Sequence, residues 1–139
     1  MKKVFLDTNI LIDYIDNRAG AEAAEQVFAC GFSGEVELFA SSLTFANMAY
    51  VIKDRPREKK YHALAQMAGI MEIIPLGKQE VMAAIAQPVR DFEDMLQYQC
   101  ARAAGCDVIV TNNKRDFAEF CDLPFMTAEE FLLEFDHQA

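Results

Sequence analysis

Residues 2–14 read KKVFLDTNILIDY, and this stretch decides the fold of the chain. Three apolar residues follow the two lysines, and a run this short is typical of a buried strand. Thr8 and Asn9 are residue types that cap helices, so we predict a helix over residues 9–16. Asp7 then lies where a strand ends and a helix begins, and in open α/β sheets this edge binds ligands. Capping of the helix explains Asp7 equally well unless other carboxylates return to the same edge.

The order of the predicted elements indicates the fold class. Strands that alternate with helices favour an α/β fold, with a parallel-stranded central sheet flanked by helices on both faces in three α/β/α layers. We expect a single domain over residues 1–139, because this length suffices for one core. The predicted strands are residues 2–6, 36–40, 71–75 and 108–110, with a short edge strand within 123–126. The predicted helices are residues 9–16, 21–30, 43–53, 56–69, 78–86, 92–104 and 128–135.

Some of these boundaries rest on single residues. Gly31 is predicted to end the helix at residues 21–30, because glycine is frequent just after a helix. Residues 111–116 follow a strand and are predicted to form a loop. Thr127 and Glu130 have the spacing of a capping box, which predicts the start of the last helix.

The composition excludes several classes of function. The chain has 13 basic and 22 acidic residues and a net charge of −9, which argues against nucleic-acid binding through bulk positive charge. Bound divalent cations would offset negative charge locally, so the net charge is compatible with a metal-dependent enzyme. No segment is long and apolar enough to cross a membrane. The few apolar residues between Lys3 and Asp7 do not make a signal peptide, so we expect a cytoplasmic protein.

Cysteine and histidine give little support for a zinc site or a nucleophilic triad. The four cysteines contain no Cys-x-x-Cys pair, so we expect reduced thiols. His62 and His137 are the only histidines in the sequence, and neither has a second His or Cys at ligand spacing. A Gly-x-x-x-x-Gly-Lys phosphate loop is also absent from the sequence. Carboxylates are therefore the best candidates for chemistry.

Further carboxylates return to the edge that holds Asp7. Asp94 lies in the first turn of the helix at residues 92–104, Asp91 immediately precedes that helix, and Asp116 follows the next strand. A helix of this length spans about one sheet height, so its start lies on the same edge as the strand ends. Helix-dipole stabilisation would also explain Asp91 and Asp94, and local backbone bonding would explain Asp116. Three carboxylates on one inferred edge favour a shared site.

Clustered carboxylates repel one another unless a cation joins them. Oxygen-only sites of this kind suit Mg²⁺ or Mn²⁺. Such ions activate water and stabilise negative charge on a phosphodiester. This is the chemistry of nucleases and phosphatases.

Three segments taken together resemble the PIN-domain family, the small metal-dependent ribonucleases that include VapC-like toxins. VFLDTN at residues 4–9 resembles the family's apolar strand followed by Asp-Thr/Ser-Asn/Ser. DFEDMLQY at residues 91–98 resembles the helix start that carries the family's central acidic residue, best matched by Asp94. VTNNKRDF at residues 110–117 resembles the family's Thr-x-Asn-x-x-Asp-Phe segment. The resemblance covers essentially the whole chain and implies a PIN-like fold.

The resemblance also implies a set of site residues. Asp7, Asp94 and Asp116 would be the catalytic carboxylates that hold Mg²⁺ or Mn²⁺ for attack of water on RNA. Lys114 and Arg115 would contact a phosphate. The polar residues expected to surround and orient the carboxylates are Thr8, Asn9, Asn47, Asp91, Thr111 and Asn113.

Asn47 departs from the family pattern, in which many members carry glutamate in the helix after the second strand. An amide oxygen can ligate a metal ion or its water, but it brings no charge. The departure therefore predicts weaker divalent-ion affinity, or fewer ions held, without any change of fold. A hydrogen bond from Asn47 to backbone near the loop after Asp7 is the alternative explanation of this residue.

The resemblance implies a metal-dependent endoribonuclease that hydrolyses single-stranded RNA, as the toxin of a toxin–antitoxin pair. It implies a homodimer and an antitoxin that fills the cleft, with exposed parts of residues 21–30 and 43–69 as contacts. An alternative is a catalytically weakened PIN-like module that binds RNA or a protein partner without cleavage. A phosphatase with an Asp nucleophile is disfavoured, because Asn9 stands where its Asp-x-Asp motif needs the second aspartate.

Overall fold

The computed structural model describes residues 1–138, so Ala139, the last residue of the predicted domain, lies outside the described residues. Five parallel strands form one sheet in the order β3-β2-β1-β4-β5. The predicted α/β fold with a parallel central sheet is confirmed, including the short edge strand near the carboxyl terminus. The strands are β1 (Lys2–Leu6), β2 (Val36–Ser41), β3 (Glu72–Ile74), β4 (Val108–Val110) and β5 (Phe125–Met126).

Helices cover both faces of this sheet, as the alternation of elements predicted. The alternation of side chains along β1 divides the core, because Val4 and Leu6 face one layer of helices and Phe5 faces the other. All three side chains are fully buried. The helices are α1 (Thr8–Ile15), α2 (Ala21–Phe32), α3 (Ser42–Val51), α4 (Arg57–Gly69), α5 (Lys78–Ile85), α6 (Phe92–Ala103), α7 (Lys114–Phe117) and α8 (Ala128–Gln138).

The central position of β1 sets the location of the site. β1 pairs with β2 on one side and with β4 on the other, so the carboxyl ends of all three strands lie along one edge. The N–H of Asp7 continues the ladder by donating to the Val110 carbonyl at 2.9 Å. The residue after β1 is thereby fixed directly beside the residues that follow β4.

The first helix begins differently from the prediction. Asp7 caps α1, with a backbone that is still extended and a carboxylate that accepts from the Thr8 N–H at 2.9 Å. Thr8 is the first helical residue, so the prediction that Thr8 and Asn9 cap this helix is wrong by one position. The reason is that the helical backbone starts immediately after β1, so Asp7, whose backbone is still extended, takes the N-cap position.

Two further boundaries differ from the prediction. Gly31 does not end α2, which continues to Phe32. A Cβ at Gly31 would lie 2.3 Å from Leu38 Cδ1, so this glycine permits close packing of the helix on β2 and does not serve as a stop. The predicted loop after β4 contains the short helix α7.

The capping box at the start of α8 is confirmed, since Thr127 and Glu130 each accept from the other's N–H, at 2.9 and 3.1 Å. Over residues 1–138, no helix has both the length and the apolar character needed to cross a membrane.

Candidate active site

Asp7 lies at the junction of β1 and α1, and hydrogen bonds hold its carboxylate from both sides. Oδ1 accepts from the Thr8 N–H at 2.9 Å and the Gln97 amide at 3.3 Å. Oδ2 accepts from the Thr111 hydroxyl at 2.7 Å and the Asn9 amide at 3.2 Å. Burial raises the pKa of Asp7, and the bonds from Thr111, Thr8 and Gln97 act in the opposite direction. The hydrogen bonds therefore fix the orientation of this carboxylate and offset part of the effect of burial, which still holds the pKa of Asp7 above its ordinary value.

The closest group of carboxylates in the described chain is Asp91, Asp94 and Asp116. One oxygen from each lies within 4.8 Å of the others. Asp91 also caps α6, because its Oδ1 accepts from the Asp94 N–H at 3.0 Å. The predicted trio contained Asp7 in place of Asp91. Asp7 instead shares a cleft of about 210 Å³ with Asp91 and Asp94.

Asp94 is a strongly perturbed carboxylate of this cluster. Its side chain is buried at the start of α6, with 6 % of its surface exposed. Burial and then the nearby charges of Asp7, Asp91 and Asp116 raise the pKa of Asp94 from 3.8 to about 7. A strongly raised pKa on a carboxyl group in a cleft is characteristic of functional sites. A bound cation would reverse the effect, because opposite charge favours the ionised form.

Gln97 joins three elements beneath the cleft and was missed by the sequence analysis. Its side chain is fully buried. The amide nitrogen lies 2.9 Å from Thr8 Oγ1 and 3.0 Å from Thr44 Oγ1, and the amide oxygen accepts from the Ser41 hydroxyl. Gln97 follows Asp94 by three positions on α6, so both lie on one face of that helix. That spacing is the signal by which Gln97 could have been found.

Asn47 contacts a carboxylate instead of backbone, unlike the alternative considered from the sequence. Its amide Nδ2 donates to Glu93 Oε1 at 2.7 Å. Asn47 lies on α3 and Glu93 lies in the first turn of α6, so the bond joins the two helices. Glu93 lines the cleft beside Asp91 and Asp94. The sequence analysis did not select Glu93.

The remaining polar residues of the predicted set also contact the site. The Asn113 amide donates to Asp94 Oδ2 at 3.3 Å, and the Asn113 N–H donates to Thr111 Oγ1 at 2.9 Å. Asn9 bonds Asp7 and also accepts from the Asn112 N–H at 3.2 Å. Asn113 therefore links the position of Asp94 to the hydroxyl that holds Asp7.

The basic residues have unequal relations to the site. Lys114, a predicted phosphate contact, pairs with Glu130 at 3.0 Å. Arg115, the other predicted contact, is exposed on α7. Arg90 was not predicted, and its Nη1 lies 3.9 Å from Asp116 Oδ1. Arg18 lines the cleft. Arginines therefore lie beside a strongly acidic site, where a phosphate would need positive charge.

A parallel sheet that gathers acidic residues at its carboxyl edge is suited to enzymes that act on phosphodiesters with the help of a divalent cation. Comparison with known proteins agrees: a family model described as a PIN domain matches residues 3–115, and the chain belongs to the PIN-domain family. Ribonuclease VapC1 from Aquifex aeolicus (strain VF5) is 32% identical over 136 residues, which cover 94% of this chain and 93% of the relative.

Solved structures share the fold. The VapBC2 complex from Rickettsia felis, bound to a DNA fragment from its promoter, contains a chain with a TM-score of 0.69 and 18% identity. The alignment covers 88% of this chain and 96% of that one. Mycobacterium tuberculosis VapC20, a toxin that cleaves the sarcin-ricin loop, has a TM-score of 0.66 and 12% identity, with coverage of 85% and 95%. At these identities the likeness concerns the fold alone.

Proposed function

We propose that this protein is a metal-dependent endoribonuclease that hydrolyses phosphodiester bonds of single-stranded RNA, as the toxin of a toxin–antitoxin pair. The observation that carries the proposal is the group formed by Asp91, Asp94 and Asp116, with oxygens within 4.8 Å of one another beside the buried Asp7. Membership of the PIN-domain family and the similarity to a ribonuclease support it.

The donor set fits Mg²⁺ or Mn²⁺. Carboxylate oxygens that lie this close repel one another, and hard divalent cations are the ions that oxygen ligands prefer. Asp91, Asp94 and Asp116 would hold the ion. When bound, the ion supplies positive charge that activates water and stabilises the negative charge of a phosphodiester under attack.

The other residues of the cleft have roles that their contacts support. Asp7 shares the cleft with Asp91 and Asp94 and its carboxylate is fixed by four donors, so it would join them in holding the ion. Asn113 donates to Asp94 and holds that carboxylate in place. Arg90, which lies beside Asp116, and the exposed Arg115 are the cations proposed to contact an RNA phosphate, while Lys114 would first have to leave Glu130.

The proposed partners are RNA, a second copy of the chain and an antitoxin. The solved structures with this fold include a toxin–antitoxin complex. On the helices expected to make the contacts, Phe32 of α2 is 83% exposed and borders an apolar groove with Met67 and Ile70. All four cysteines are free thiols, which fits the cytoplasm as the proposed compartment.

The test is cleavage of end-labelled single-stranded RNA with added Mn²⁺ or Mg²⁺. Wild type is compared with Asp94→Asn and with Asp54→Asn, a matched change at an exposed residue between α3 and α4. We expect metal-dependent cutting by wild type and by Asp54→Asn, and loss of cutting by Asp94→Asn. Equal activity in all three proteins would mean that this site does not cleave RNA. Metal binding without any cutting would instead favour the non-cleaving RNA- or protein-binding module.

A further inference from the structure

We propose that Glu93 is an additional cation-binding carboxylate of the active site and that Asn47 is the positioning residue that aims it into the cleft. The inference rests on the proposed metal-dependent function. It assigns a role to two residues that the acidic cluster of Asp91, Asp94 and Asp116 does not include.

The position of Glu93 on the cleft is the first observation. Glu93 lies in the first turn of α6 between Asp91 and Asp94, and it lines the same cleft as both. An exposed glutamate surrounded by like charges is expected to turn toward solvent unless a specific contact holds it.

Asn47 provides that contact. Its amide donates to Glu93 Oε1 at 2.7 Å, across 46 positions of sequence and from a different helix. An asparagine amide can donate to a carboxylate without adding charge of its own, whereas glutamate at this position would repel Glu93. The uncharged residue on α3 and the charged residue on α6 thus form a matched pair between the two helices, and Glu93 of this pair lines the cleft.

The chemical consequence is a larger acidic donor set than the three clustered aspartates supply. Glu93 Oε1 is occupied by the Asn47 bond, which leaves Oε2 for a cation or for water in the cation's hydration shell. Mg²⁺ commonly retains water ligands, and carboxylates that bind those waters influence affinity strongly. Asn47 then acts through Glu93 and contributes no charge to the ion.

Mn²⁺ binding by the purified full-length protein tests the assignment, measured by isothermal titration calorimetry without RNA. We expect Glu93→Gln to weaken Mn²⁺ binding by about tenfold, the size typical for residues that orient or support metal ligands. Glu134→Gln, the same change of charge at an exposed position on α8, should leave the affinity unchanged. Asn47→Ala should weaken binding in wild type and have no further effect in the Glu93→Gln background. A purely structural role of Asn47 would weaken binding equally in both.

The strongest test moves the negative charge of this pair from α6 to α3. The double variant Asn47→Glu/Glu93→Gln exchanges amide and carboxylate across the same contact, and it should recover most of the affinity lost by Glu93→Gln. If Glu93→Gln binds Mn²⁺ as tightly as wild type while Asp94→Asn loses binding, Glu93 does not hold the cation. The proposed function would then still stand. Full binding by Asp94→Asn would instead remove the proposed metal site itself. Urea unfolding with a chelator verifies that each variant is folded.

Discussion

Replacement of Asp94 by asparagine should stabilise the metal-free protein, although it should abolish metal-dependent activity. Burial and neighbouring carboxylates raise the pKa of Asp94 from 3.8 to about 7. In the unfolded chain this carboxyl ionises near its ordinary pKa, so ionisation above pH 4 favours unfolding. Asn113 donates to Asp94 Oδ2, and an asparagine side-chain oxygen can still accept that bond.

The magnitude and its pH dependence follow from linkage. For an acid with a raised pKa in the folded state, stability is highest below the unfolded pKa and falls as pH rises through the folded pKa. Each pH unit between the two pKa values corresponds to about 1.36 kcal/mol, so ionised Asp94 destabilises the metal-free fold by at most about 4 kcal/mol at pH 8. At pH 5.5 the folded carboxyl is mostly protonated and the penalty falls to about 2 kcal/mol.

Urea denaturation with a chelator present measures this difference. We expect Asp94→Asn to be more stable than wild type at pH 8, and the gap to narrow toward pH 5.5. Asp54→Asn controls for the change in net charge at an exposed position. Saturating Mn²⁺ should then stabilise wild type by about 3 kcal/mol at a hundredfold excess over Kd, and should stabilise Asp94→Asn much less. A variant no more stable than wild type at pH 8, or a gap independent of pH, would refute the reasoning.

Two further predictions concern packing, one beneath the cleft and one between α2 and β2. Gln97→Leu removes the buried hydrogen bond from the Gln97 amide to Asp7 and leaves hydroxyl groups unpaired. It should therefore lower the free energy of unfolding by about 2 to 4 kcal/mol and weaken Mn²⁺ binding. A variant as stable as wild type in urea would contradict this prediction. Gly31→Ala should destabilise by about 1 to 3 kcal/mol, because the new Cβ would clash with Leu38. Gly69→Ala, which meets no atom within 4 Å in the described structure, should stabilise by less than about 1 kcal/mol, and thermal unfolding compares the pair.

The order and type of the elements were predictable because they depend on local patterns. Short apolar runs such as residues 108–110 indicate buried strands wherever they occur, and capping residues such as Thr127 mark a helix start without reference to the rest of the chain. The parallel arrangement then places strand ends on one edge, which is why Asp94 and Asp116 were expected to meet.

Local patterns failed where a contact between distant elements decided the outcome. Glycine often follows the end of a helix, but Gly31 lies within α2. A glycine is present at this position because Leu38 of the neighbouring strand β2 occupies the space that a Cβ would need. Asp91 immediately precedes α6 in the sequence and caps that helix, yet its carboxylate also lies within the acidic cluster. The second role depends on where α7 places Asp116.

The class of fold, the edge that carries the candidate site and most of the acidic residues at that edge can be read from the sequence. They follow from backbone preferences, apolar periodicity and the geometry of parallel strands. The polar side chains that support those acids could be identified only from the packing of the folded chain. Gln97 reaches Asp7, and Asn47 reaches Glu93, because α3, α6 and the end of β1 pack side by side. Such pairs depend on distances across the packed core, and no local pattern of residues encodes those distances.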